Sequence, residues 1–205
     1  MMEVSKIQFS EAEAELMQNA DLILTKNRVL EKMKMLLEGL QVKQETILKN
    51  NSIVHEVFGT SGKISRGEYY MGLPYLILDY PRRSSGQDLF FIRNMFWWGN
   101  FFSTTLHLSG QYKSLFRIHV SQSYLQLQNF SVGIHPDPWI HHFEKENYIP
   151  INSLSAKAFE TICEDGEHLK IAVALPLVKW QQAEDELLEK WKLLLRLCRL
   201  IPDAV

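Results

Sequence analysis

Hydrophobic and polar positions divide the chain into three regimes. From Ser10 to about residue 49, apolar residues recur at intervals of seven. Leu16, Ile23, Leu30 and Leu37 form one row, and Met33, Leu40 and Ile47 form a second. This period is helical and has the spacing of a coiled-coil seam. Ser10 and Glu13 stand three apart, as in a capping box, and Glu11, Glu13 and Glu15 suit the positive end of a helix dipole. A long helix is therefore predicted from Ser10, with Asp21 either capping a second segment or lying inside one continuous helix. Asn50-Asn51-Ser52 ends it. The rows weaken at Lys26 and Gln44, and Gly39 costs about 1 kcal/mol of helix propensity relative to alanine. Such a helix packs on the protein's own core or forms a dimer seam, and the rows are compatible with both.

The middle of the chain is dominated by rings. Tyr69 to Phe102 holds eleven of the 23 aromatic residues, and aromatic side chains dominate core and interface energetics. The spacing predicts a strand over Pro74 to Tyr80, ended by Pro81, which cannot donate to a ladder. Ser84 to Asp88 is a turn by composition. Leu89 to Trp98 is apolar on both alternating sets, the pattern of a strand covered on both faces, although a buried helix shares that pattern. Phe101 to Leu108 continues as a strand whose second face, Ser103, Thr105 and His107, is more polar.

The remainder alternates short elements. Ser114 to Gln128 fits a helix. Phe130, Val132 and Ile134 alternate as a strand, the His135-Pro136-Asp137-Pro138-Trp139 segment is a rigid turn, and Ile140 to Ile149 reads as an edge strand. A helix is predicted over Leu154 to Cys163, capped by Asn152 or Ser153, then a buried strand over Leu169 to Leu175. The last element is a helix from about Lys179 to Leu200, with Trp180, Leu187, Leu194 and Ile201 seven apart. The expected fold is α+β in one domain, residues 1–205. An antiparallel or mixed sheet of four to six strands carries the long N- and C-terminal helices packed together on one face.

Composition narrows the function classes. A formal net charge of −2 gives no field for nucleic acid or anionic lipid. No apolar run approaches the roughly 18 residues of a membrane span. No signal peptide is visible, and Cys163 and Cys198 make no disulfide framework, so a cytoplasmic location is expected.

Candidate chemistry is sparse. Gly59 to Gly67 is a loop by composition and resembles part of a phosphate-binding loop. Aligned on Gly62-Lys63, however, Val57 stands where the first glycine belongs and Ile64 where the hydroxyl belongs, so nucleotide hydrolysis by this loop is not expected. No Gly-x-Ser-x-Gly elbow and no His-Glu-x-x-His motif occur. Five of the seven histidines lie between residues 107 and 142. His107, His135, His141 and Glu144 could converge only through folding, and no metal or other cofactor is predicted. No catalytic residue is assignable. The one pocket-like constellation joins rings to charge: Tyr75, Asp79, Arg82, Arg93, Trp97, Trp98 and His107 are the candidate ligand-binding residues, Arg82 or Arg93 being the natural partner for a buried Asp79. Two functions fit. The first is a non-enzymatic binding or interaction module, homodimeric through the heptad-like helix or binding a small molecule. The second is a small-molecule hydrolase or transferase with a pocket near Arg82, Arg93 and His107.

Overall fold

A computed structural model describes residues 7–59 and 61–202. The chain is α+β: one antiparallel sheet of seven strands and, among the described residues, six α-helices. Helices α1 (Glu11–Gln18), α2 (Ala20–Leu48) and α3 (Ser52–Phe58) come first. A meander follows, of β1 (Lys63–Tyr70), β2 (Leu73–Ser85), β3 (Asp88–Trp97) and β4 (Phe101–Ser109). Then come α4 (Gly110–Gln122), β5 (Ser131–Gly133), β6 (Tyr148–Pro150), α5 (Ala156–Glu164), β7 (His168–Pro176) and α6 (Ala183–Leu197). The sheet order is β1-β2-β3-β4-β7-β5-β6, so the late strand β7 inserts between β4 and β5.

Capping decides where the helices begin. Glu13 N–H donates to Ser10 Oγ at 3.3 Å and Ser10 N–H to Glu13 Oε2 at 2.7 Å, the reciprocal pair the spacing predicts. Asn19, rather than Asp21, breaks α1 from α2 and accepts from Leu22 N–H at 3.2 Å. Ser155, rather than Asn152 or Ser153, caps α5. Asn51 caps α3 and also donates to the carbonyl of Leu200 at 2.6 Å, tying the start of α3 to the turn that follows α6.

Several expectations are corrected. The sheet has seven strands instead of four to six, because Lys63 to Tyr70, whose first five residues belong to the expected Gly59–Gly67 loop, pairs along β2. That strand is polar and only partly buried at the sheet edge, so it lacks the apolar alternation that marks a strand in sequence. Pro81 does not end its strand. The register slips by one residue between Asp79 and Arg82, so Tyr80 and Pro81 bulge opposite Ile92. Beyond Asp79 the strand has no pairing with β1, so no ladder bond needs the missing N–H. The bulged carbonyl of Tyr80 accepts from the Trp191 indole at 2.6 Å, and the two rings stack. Residues 140–147 form no strand; only Tyr148 to Pro150 pairs. The helix expected to run to Gln128 stops at Gln122 and continues as turns. The final helix starts at Ala183, after a 3₁₀ turn over Leu177–Gln182.

The sheet's two faces differ in kind. Leu76, Leu78, Phe90, Ile92, Phe96, Phe102, Leu106, Leu108 and Ile171 point to the helices and join Leu37, Leu40, Trp191 and Leu194 in one core. Helices α2 and α6 lie side by side there and run in the same direction. Gly39 faces Glu184, Lys43 pairs with Glu184 and Asp185, and Asn51 meets Leu200. Gly39 sits against α6: an added Cβ would stand 3.2 Å from the Glu184 carboxylate. The opposite face is covered by the irregular segment of residues 134–147, with a smaller apolar cluster of Ile77, Met95 and Trp97 beside it. The heptad rows therefore divide. Leu30, Leu37 and Leu40 are core, whereas Leu16 and Ile23 of the same repeat are exposed.

Candidate binding groove and the polar back face

The parallel run of α2 and α6 leaves a gap at one end. There α6 has not yet begun and the 3₁₀ turn stands off from α2. Val29, Met33 and Leu36 of α2, at helical spacing of four and three, form one wall. Phe96 and Phe102, paired across the β3–β4 hairpin, form the floor, with Trp98 and Gly99 in the connecting turn. Leu177 and Trp180 of the 3₁₀ turn close the far side. The result is a half-open groove of about 780 Å³. Its polar groups are few: Lys32, Gln181 and Glu184, the last held by Lys43 at 2.9 Å. Trp180 remains 55% exposed. A predominantly apolar concavity of this size, with scattered polar groups at its rim, is the ordinary form of a ligand site.

Most of the sequence-predicted site residues lie elsewhere. Direct cross-strand partners share a face, so Tyr75 with Trp97, Asp79 with Arg93, and Phe91 with His107 and Lys170 all face the irregular segment. Arg93 makes three polar contacts there. Its Nε and Nη2 donate to Asp79 Oδ1 and Oδ2, both at 2.8 Å, and its Nη1 lies 3.0 Å from His141 Nε2. Its guanidinium also covers the rings of Phe91 and Trp139. Asp79 is thus the buried carboxylate and Arg93 its partner, the bidentate pairing that suits a planar guanidinium. Arg82 is exposed on the far side of the bulge, beside Phe58, Gly59 and Ser61. Trp98, in the turn after β3, lines the groove, while Trp97, the last residue of the strand, belongs to the back face. Tyr75, Asp79, Arg93, Trp97 and His107 therefore share one face; Arg82, the register partner of Phe91, lies exposed beyond the bulge with no ion pair among the described residues, and Trp98 lines the groove.

The back face holds more positive than negative charge. Lys170, 2% exposed, donates to the carbonyls of Pro138, at 3.0 Å, and Ile140, and lies over the Tyr148 ring. Burial, with Arg93 nearby, pulls its ammonium down to about 7. His107 is fully buried between Phe91, Trp139 and His168, and neither ring nitrogen has a hydrogen-bond partner. Burial, then Lys170, His168 and Arg93, push it down to about 2, so it is neutral. His141 is held well below its ordinary range by burial and the same cations, which fits an unprotonated Nε2 facing Arg93. Among the described residues no group of three or more His, Cys, Asp or Glu side chains is placed to hold a metal ion, and His107, His135, His141 and Glu144 form no such group. Cys163 and Cys198 are buried and unpaired, and burial pushes the Cys163 thiol up to about 12, opposite to what a nucleophile requires.

Sequence reasoning missed the groove. Met33 and Trp180 were visible as members of heptad rows, but nothing in the rows says that the walls they belong to stand apart. Val29, Met33 and Leu36 at positions i, i+4 and i+7 were the available signal. Lys170 also escaped, and His141 was named only as a possible member of a histidine cluster. The signal for Lys170 was a lysine inside an otherwise apolar strand. Comparison with family models, with curated proteins and with solved structures gave no significant match.

Proposed function

We propose that this chain is a non-enzymatic binding module whose site is the apolar groove between α2 and the 3₁₀ turn, and whose occupant is an amphipathic helix. The observation that carries this reading is the groove itself: about 780 Å³, walled by Val29, Met33, Leu36 and Trp180 and floored by Phe96, Trp98 and Phe102. Helix-in-groove recognition needs apolar anchors at i, i+3/i+4 and i+7 on the incoming helix and a trough of rings and aliphatics to take them. The flank of the groove favours an acidic partner, because Lys26, Arg28, Lys32 and Lys34 outnumber Glu31 along residues 26–34. We place the protein in the cytoplasm, in keeping with its two unpaired cysteines. Among the described residues no helix is long and apolar enough to cross a membrane.

The reading as a hydrolase or transferase at Arg82, Arg93 and His107 is the weaker one. Arg93 donates to Asp79 and lies against His141, His107 is sealed beneath Trp139, and Arg82 is exposed beyond the bulge. The test is a titration of the full chain with a synthetic amphipathic helix of about 18 residues, Leu anchors on one face and Glu on the other, followed by tryptophan fluorescence. Saturable binding that is lost in Trp180→Glu supports the proposal. No binding up to about 1 mM, the weak end of specific association, refutes it.

A further inference from the structure

We propose that residues 134–147 form an acid-gated strap: the segment between β5 and β6 opens as one piece, without unfolding the rest of the chain, and opens more often as the imidazoles beneath it take up protons. Opening uncovers Phe91, His107 and the Asp79–Arg93 pair. The strap lies on the opposite face of the sheet from the groove, so its opening is independent of whether the groove binds a helix.

The strap is built to lift as a unit. It contains no helix and no strand, and its two ends are clamped to each other. Gly133 pairs with Tyr148, and Ile134 N–H donates to the Asn147 carbonyl at 2.9 Å. The base stays in the sheet while the body moves, as in a compact surface loop with close ends. The body adds no apolar side chain to the core. Among residues 134–147 only His141 and Asn147 are buried, and both are polar. Trp139 stacks on Phe91 but remains 47% exposed, and Phe143 stacks on Tyr148. Side chains of the sheet hold the strap down by hydrogen bonds. Lys170 donates to the carbonyls of Pro138 and Ile140. The Tyr148 hydroxyl donates to the Ile140 carbonyl at 3.4 Å, and the Tyr70 hydroxyl accepts from His141 N–H at 2.6 Å. Segments with few buried apolar contacts open locally at less than the global free energy.

What the strap covers opposes closure in acid. His107 of β4 is fully buried with neither ring nitrogen partnered, so a proton placed there has no acceptor. His141 of the strap holds Nε2 3.0 Å from Arg93 Nη1, where a protonated ring would set donor against donor. The groups around these two rings are mostly basic: Arg93 of β3, Lys170 and His168 of β7, and His135 and His142 of the strap. Asp79 of β2 has both oxygens engaged by Arg93. Asp137 and Glu144 of the strap, and Glu167 beside His168, are exposed. Tyr70 of β1 and Tyr148 of β6 complete the surround.

The direction of the pH effect follows. Closed, both rings are held far below the ordinary 6.5. Opened to water they return to it. Below 6.5 the open form binds protons that the closed form does not, so opening gains as pH falls. From pH 7 to 5 each ring favours opening by about 25-fold, and the two together by about 600-fold. His168, lowered by burial and then by Lys170, acts in the same direction. Lys170, at about 7 when closed, is charged in both forms by pH 5 and adds only about two-fold over this range.

The experiment is amide exchange of the full chain, followed by NMR at pH 7, 6 and 5 and corrected for the intrinsic rate at each pH. The probe is the His141 N–H, and the ladder amides of β3 and β4 report unfolding of the whole chain. In wild type the His141 amide should be less protected than those of β3 and β4 at every pH, and its protection should fall by about 600-fold from pH 7 to 5. His107→Phe should reduce that fall to about 25-fold, and His107→Phe/His141→Gln should remove most of the remainder. A protection at His141 that does not change with pH in wild type overturns the proposal without recourse to any variant. An amide at His141 as protected as those of β3 and β4 also overturns it, because the strap then opens only with the whole chain. A double variant that keeps the full pH dependence does the same.

Discussion

Replacing His107 by phenylalanine should stabilise the protein, and by an amount that grows as the solution is acidified. His107 has no exposed surface, and both its ring nitrogens lack partners. A buried polar group left unsatisfied costs about 1–3 kcal/mol, and phenylalanine removes that cost while keeping a ring against Phe91 and Trp139. The larger ring opposes this, since overpacking costs about 1–3 kcal/mol. That part does not depend on pH. The pH-dependent part has a definite sign. The folded value is near 2, below the ordinary 6.5. Between those limits the unfolded chain binds a proton that the folded chain does not, so stability falls as pH falls. At pH 5 the cost is about 2 kcal/mol, from 1.36 kcal/mol per pH unit over 1.5 units below 6.5. Lys170, His168 and Arg93 face the ring and remain in both proteins, as does His141, so the difference between wild type and variant isolates His107. Urea unfolding at pH 8, 7, 6 and 5 measures it. The variant's advantage should be flat from pH 8 to 7 and widen by about 2 kcal/mol at pH 5. A gap that stays constant across this range would show that the imidazole is protonated or solvated in the folded state.

Lys170 gives the complementary test on the alkaline side. Its folded value near 7 lies below 10.5, so the unfolded chain holds the extra proton between those values and stability should rise with pH. From pH 7 to 9 wild type should gain about 2–3 kcal/mol relative to Lys170→Met, and equal slopes in urea titrations would contradict the burial of the ammonium. Asp79→Ala strands the Arg93 guanidinium and should cost about 3–5 kcal/mol, read as a fall in the urea midpoint; a loss under 1 kcal/mol would mean the pair is wet. Gly67→Ala drives a Cβ to 2.3 Å from the Tyr75 ring on the neighbouring strand. It should cost about 1–3 kcal/mol in chemical denaturation, and Gly67→Ala/Tyr75→Ala should recover part of that loss.

The local grammar of the chain was legible where a short-range rule applies. The Ser10–Glu13 box, the ring-rich strands β3 and β4, the turn near Gly86 and the apolar strand β7 follow from spacing and composition, because each depends on residues only a few positions apart. The α+β class followed from the order of those elements. The double-sided burial of β3 was also readable, since an apolar residue at every position cannot face water on either side. Strand β1 and the path through Pro81 were not readable. A polar edge strand owes its pairing to its neighbour, and a bulge depends on whether the next strand is still present beside it.

The functional surface lay beyond reach for the same reason. The heptad rows in α2 are continuous in sequence, yet the fold buries Leu30, Leu37 and Leu40 and leaves Leu16 and Ile23 outside. What separates them is where the sheet and α6 end, and that is set by the assembly of distant segments. Likewise Asp79 and Arg93 meet because β2 and β3 pair in one particular register, and Arg82 lies beyond the bulge, opposite Phe91 and exposed. Sequence determined the elements through local propensity and periodicity. Tertiary packing alone decided which apolar faces were covered, which charges met, and which groove remained open, because those outcomes depend on contacts between residues far apart in the chain.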